Sequence, residues 1–290
     1  MNSTSLIAAT VAAVLAGCSV ADPSLDAGEP AIEHTLAEVA LIFTRAQDES
    51  GAARFDAEGH FVRYHAADSS RVATVLGLSD DESMPLDSCR LVDGAQEIDR
   101  ALAASNDVVE LLDAGRLLVK GPLDATMLQP RHYPELTPYV TGVVYGLEEA
   151  PSLALEPGAL YEVAGEGGEE VGPFVARVGA PRAFPSLEFA PIHRGGDLDL
   201  RWSDAGDAAD ALLVTVAWSS RSGAREVRCR VRDNGAFRVS HEFLAIPAPP
   251  LFSAEVTVTR VRRAAMTATG AGQGALSLGL REVIPLSVVE

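Results

Sequence analysis

The chain has 290 residues, 47% of them hydrophobic and 6% aromatic, and a formal net charge of −18. That length allows two ordinary domains with a sizeable buried core. The acidity argues against nucleic acid as a partner and against an electrostatic grip on anionic lipid, since both carry the same sign. Lysine occurs once, as Lys120, and arginine supplies the rest of the positive charge.

From Leu6 to Gly17 there is no charged side chain, and only Thr10 and Gly17 interrupt a run of Leu, Ile, Val and Ala. The run is too short for a bilayer-spanning helix, which needs roughly 20 residues. It fits the apolar core of a secretory signal, roughly 7–15 residues. Small residues follow at Ala16 and Gly17, then Cys18, then a polar stretch with Asp22, Pro23, Asp26, Glu29 and Pro30. Leu15-Ala16-Gly17-Cys18 resembles the lipobox of bacterial lipoproteins. The resemblance implies a signal peptide over 1–17, a diacylglyceryl group on the Cys18 thiol, cleavage before Cys18 and acylation of the new amino group. Two or three acyl chains are needed for a stable anchor, at about 0.8 kcal/mol per buried methylene. Ser19 after the cysteine points, by the sorting rule of such lipoproteins, to the outer membrane. The alternative is an ordinary secreted protein with an incidental cysteine at its cleavage site.

Residues 18–36 read as a flexible, acidic tether. Beyond it the dominant signal is short strands between turn residues. Val39 to Thr44 is β-rich, and Phe55, Asp56-Ala57-Glu58-Gly59 and Phe61 to Tyr64 read as a hairpin. Val72 to Leu76 is a strand, followed by an acidic loop with Asp80, Asp81 and Glu82. Gln96 to Ala104 is the one expected helix, with Ile98 and Leu102 on one face. Val108 to Leu112, Leu117 to Val119, Val140 to Tyr145, Leu160 to Val163 and Phe174 to Val178 are strands. Gly179-Ala180-Pro181 and Pro185 mark a boundary.

After it, Leu198, Leu200 and Trp202 alternate with Asp199 and Arg201. Leu212, Val214, Val216 and Trp218 alternate in the same way. Val227 to Val231 meets Asp233-Asn234-Gly235, a tight-turn signal. Phe237 with Val239, Glu255 to Thr259 and Ala275 to Leu280 complete about seven strands, the count of a sandwich. The run Asp197 to Trp202 resembles the tryptophan strand of fibronectin type III or immunoglobulin-like domains. The expected fold is all-β. Two β-sandwich-like domains, 37–180 and 184–290, stand behind the signal peptide and tether.

Motifs for catalysis are missing: no G-x-S-x-G, H-E-x-x-H, C-x-x-C, Walker or G-x-G-x-x-G pattern occurs. His241-Glu242 starts the zinc-protease pattern, but Ala245 stands where the second histidine belongs. His60 and His65 are five apart and would face opposite sides of one strand. Asp204, Asp207 and Asp210, near Asp197 and Asp199, could supply calcium oxygens but lack EF-hand spacing; they read as a solvated loop. Trp202 and Trp218 share the parity of aliphatic neighbours and so belong to the core rather than to a sugar-stacking face. His132, Tyr133, Tyr139 and Tyr145, among Pro130, Pro134 and Pro138, form either an exposed loop surface or a proline-stiffened connection packed on the sandwich. Cys229 lies on a core face, with Arg228, Arg230 and Arg232 on the other. It is either a small buried residue or a disulfide partner of Cys89, which export would permit.

The reading is an envelope lipoprotein held through Cys18, acting as a non-enzymatic binding or scaffolding module. It has no cofactor, no catalytic residue and no metal site. Its expected partners are the membrane, through the lipid, and an envelope protein or polysaccharide. The alternatives are a calcium-dependent adhesion module and a hydrolase with an unrecognised site.

Overall fold

The computed structural model describes residues 34–289 except 46–52, 65–83, 93–108, 138–139, 149–152, 184–186, 204–205, 208, 222 and 245–250. Cys18, the strand expected at Val72 to Leu76, the acidic loop 80–82 and the helix expected at Gln96 to Ala104 lie outside the described residues. The described chain is all-β.

Strand β1 (His34–Arg45) shows how alternation is cashed out. Ala37, Val39, Leu41 and Phe43 are buried on one face, while Glu38, Ala40 and Ile42 take the other, as a period of two requires. The strand starts at His34, inside the stretch expected as tether. β2 (Ala53–Tyr64) corrects the expected hairpin. It is one continuous strand, antiparallel to β1 from Arg45↔Ala53 to His34↔Tyr64. Gly59 does not turn the chain. A Cβ there would lie 3.3 Å from both Leu117 and Tyr145, so glycine lets the strand press onto its core.

Further along run β3 (Ser88–Val92), β4 (Val109–Leu111), β5 (Leu117–Lys120), β6 (Ala125–Thr137), β7 (Val140–Gly146), β8 (Leu160–Gly165) and β9 (Phe174–Gly179). Then come β10 (Leu187–Phe189), β11 (Ile192–His193), β12 (Leu198–Trp202), β13 (Asp210–Ser220), β14 (Gly223–Val231) and β15 (Ala236–Val239). The last are β16 (Leu251–Ala268), β17 (Gly272–Pro285) and β18 (Val288–Val289). Among the described residues thirteen strands form one sheet in the order β3-β14-β13-β16-β17-β1-β2-β4-β7-β6-β5-β8-β9. β10-β12-β15 and β11-β18 form two small sheets.

Two cores result. In the first, β9 returns against β16 and β17, so the long sheet curls around Phe43, Phe61, Tyr145, Tyr161, Leu278 and their neighbours. In the second, β14, β13 and the first half of β16 face the small β10-β12-β15 sheet across Trp202, Trp218, Val214, Cys229 and Val256. Both tryptophans are buried. The β16–β17 hairpin is far longer than the two short strands expected there, Glu255 to Thr259 and Ala275 to Leu280. It runs through both cores.

At the waist between the cores Arg260 points inward and is fully buried. Its Nε and Nη2 donate to the two carboxylate oxygens of Asp233 at 2.6 and 3.1 Å, and its Nη1 donates to the carbonyl of Arg182 at 2.7 Å. Asp233 also accepts from Trp202 Nε1 at 2.6 Å and from the Gly206 amide at 2.9 Å. One ion pair thus ties the connection at residues 182–183, the loop at 206 and the end of β12 to the central hairpin. Asp233-Asn234-Gly235, expected as a tight turn, is a corner between sheets, since β14 pairs with β13 and β3 while β15 pairs with β12.

Candidate functional site

The outward face of β14, β13, β16, β17 and β1 is a concave trough of about 890 Å³. It follows from the alternation already described: each strand gives its apolar set to a core and its other set to this face. The floor is small and hydroxylated, with Ala40, Ala217, Thr215, Thr257, Thr259, Ser277 and Gly279. Gly279 keeps it open, since a Cβ there would stand 3.1 Å from Thr259 Cγ2. Cross-strand register sets one row over it, Arg230↔Leu213↔Thr259↔Arg281↔Thr44. Adjacent strands lie about 4.8 Å apart, so Arg230 and Arg281 flank Thr259 from roughly 10 Å and 5 Å away along that row.

Most charges on this face are matched. Arg263 Nη2 lies 3.4 Å from Glu38, Arg228 pairs with Glu226, and Arg230 Nη1 donates to the Met84 carbonyl at 2.9 Å. Arg281 differs. Its Nε is buried without an acceptor, and no salt bridge among the described residues includes it. Burial pushes its guanidinium pKa down, with Asp56 the carboxylate that pulls the other way.

The residues singled out in the sequence fall elsewhere. Asp207 and Asp210 are engaged by Arg262, at 3.4 and 2.6 Å; Asp204 lies outside the described residues. Asp199 takes a bidentate pair from Arg238 at 2.6 and 3.2 Å, and Asp197 accepts from the His241 amide at 2.8 Å. His60 is buried, its Nε2 3.0 Å from Glu58 Oε1, while His65 lies outside the described residues. Cys229 is buried, and it is also bonded to Cys89, directly opposite on β3, so the two readings offered as alternatives hold together. Of the tyrosine group, His132 is exposed, Tyr145 is in the first core and Tyr139 lies outside the described residues. Arg281 was missed because it follows the expected strand Ala275 to Leu280 by one residue. Its parity with Ser277 and Gly279 was the available signal.

Tyr145 is a structural linchpin of the first core. Its hydroxyl donates to Asp113 Oδ1 at 2.9 Å and accepts from the Ala114 amide at 2.7 Å. Burial and the bond to Asp113 push its pKa well up, and burial raises Tyr161 too. A phenol whose folded pKa is raised contributes stability that is intact below its unfolded pKa of about 10 and falls as pH rises above it. Melting temperature should therefore drop from about pH 10 upward. Tyr145→Phe should flatten that drop while costing about 1–3 kcal/mol at neutral pH, by stranding the Ala114 amide. A melting series from pH 8 to 11 checks both; an unchanged slope in the variant would refute the assignment.

No family model matches the sequence, and no curated protein matches it. Among solved structures it is similar to the Fcho1 Mu homology domain of Danio rerio with a bound Eps15 peptide. Identity is 8% over 88% of this chain and 97% of that one, with a TM-score of 0.27. It is also similar to the FN1–FN3 domains of chicken CNTN1, at 12% identity over 59% of this chain and 55% of that one, with a TM-score of 0.19.

Proposed function

We propose that this chain is a lipid-anchored envelope protein that binds a partner without catalysing a reaction. The observation that carries the reading is Leu15-Ala16-Gly17-Cys18 at the end of an uncharged apolar run. A diacylglyceryl thioether on Cys18 would hold the chain at the membrane, the outer one by the Ser19 rule. The tether would let the β-domain reach a soluble or surface-bound protein or polysaccharide. The second core, with its tryptophan strand β12, is read as an immunoglobulin- or fibronectin-like sandwich. The chain's acidity supports the exclusion of nucleic acid. The trough supports a binding role: it is concave and water-facing, and its floor carries hydroxyls and small residues.

Detergent phase partitioning tests the anchor. The wild-type protein should enter the detergent phase and Cys18→Ala should stay in the aqueous phase. Equal partitioning of the two would refute lipidation.

A further inference from the structure

The geometry points to the trough as a binding site for a small organic oxyanion, a phosphate or carboxylate on a compact body, with Arg281 as the residue that grips it. This deepens the binding role proposed above and rests on it. Three observations meet at one place. Arg281 is half-buried, and its Nε reaches neither water nor an acceptor. That Nε is closed to the trough, so a ligand would be met by the terminal amino groups of the guanidinium, while the unmade donor marks a charge held at a cost. The guanidinium opens onto a trough of about 890 Å³, within the roughly 300–1,000 Å³ of small-molecule sites and far larger than a lone ion needs. Beside it along the register row stands Thr259, whose hydroxyl can donate to an anion, with Arg230 beyond Leu213.

The charge logic selects an anion. Glu38, Glu226, Asp207 and Asp210 on the trough already have arginine partners, and Glu255, its remaining glutamate, sits four residues along β16 from Thr259, the residue opposite Arg281. Asp56 is the carboxylate that pulls on Arg281, and no salt bridge among the described residues includes Arg281. A planar guanidinium offers a carboxylate or phosphate two parallel hydrogen bonds, which lysine cannot reproduce.

The test uses full-length Cys18→Ala, free of lipid, with inorganic phosphate and glucuronate as probes and sodium chloride as the ionic-strength control. Either oxyanion should raise the melting temperature saturably, by about 3 °C at ten times Kd. The stronger of the two names the group the natural ligand carries. Arg281→Gln should weaken that binding roughly 10- to 100-fold, and Arg281→Lys less. Without ligand, Arg281→Met should melt about 2 °C higher than its parent, because an unpaired desolvated charge has been removed. A purely structural arginine would make Arg281→Met melt lower, and that result overturns the proposal. So does an unchanged anion response in Arg281→Gln, or no saturable response to either probe in the parent. Partitioning of Cys18→Ala is read separately, so a failed anion site leaves the anchor standing and a failed anchor leaves the anion site standing.

Discussion

Asp233→Ala should cost about 3–5 kcal/mol of folding free energy, the loss typical of stranding one member of a buried ion pair. The magnitude follows from what the carboxylate serves. Arg260, Trp202 Nε1 and the Gly206 amide all donate to it. Its removal leaves a fully buried guanidinium with one side uncompensated. Urea unfolding of the variant measures the loss. The double variant Asp233→Leu with Arg260→Met should recover about half of it, since a buried pair replaced by apolar side chains is often near neutral. Recovery stays partial because Trp202 and Gly206 still lose their acceptor. A loss below about 1 kcal/mol would mean that the pair is solvated and that the waist is not the joint described.

The second large effect belongs to the disulfide. Cys89 and Cys229 are 140 residues apart, and closing so long a loop is worth close to 5 kcal/mol in the chain-entropy model, against 2–4 typically measured. Cys89→Ala with Cys229→Ala should therefore lower stability by about 2–4 kcal/mol. The damage should be local. Among the described residues β3 is the end strand of the sheet and pairs with β14 alone. Asp87–Arg232 at 2.8 Å and the Arg230 bond to the Met84 carbonyl remain to hold the segment loosely. Hydrogen exchange should show protection lost at residues 88–92 and 226–230 and retained along β16 and β17. Uniform loss across the sheet would contradict this local role.

What was legible in the sequence and what was not divides by range. Alternation alone placed Leu198, Leu200, Trp202, Leu212, Val214, Val216 and Trp218 in a core, because strand parity is a local property. It also put Arg228 and Arg230 on the opposite face, now a wall of the trough. The hairpin expected at residues 55–64 failed because Asp56-Ala57-Glu58-Gly59 has turn composition. Only the twelve-residue pairing with β1 and the packing of Gly59 on Leu117 and Tyr145 show why the strand continues. The Cys89–Cys229 bond and the parallel pairing of β1 with β17 join segments far apart in the chain. The trough depends on that strand order. Arg281 and Arg230 share a row only because β17, β16, β13 and β14 are neighbours, and no local pattern records it. Arg260 had a local signal, an arginine at the parity of Val256 and Val258, but its partner Asp233 sits in a corner that reads as an ordinary turn.

The intact mass of the protein extracted from membranes tests the central claim most directly. The account predicts residues 18–290 plus a diacylglyceryl thioether, with a further acyl chain on the new amino group. A mass equal to residues 18–290 without lipid, or to a chain cut elsewhere, would contradict it and make this a freely secreted protein.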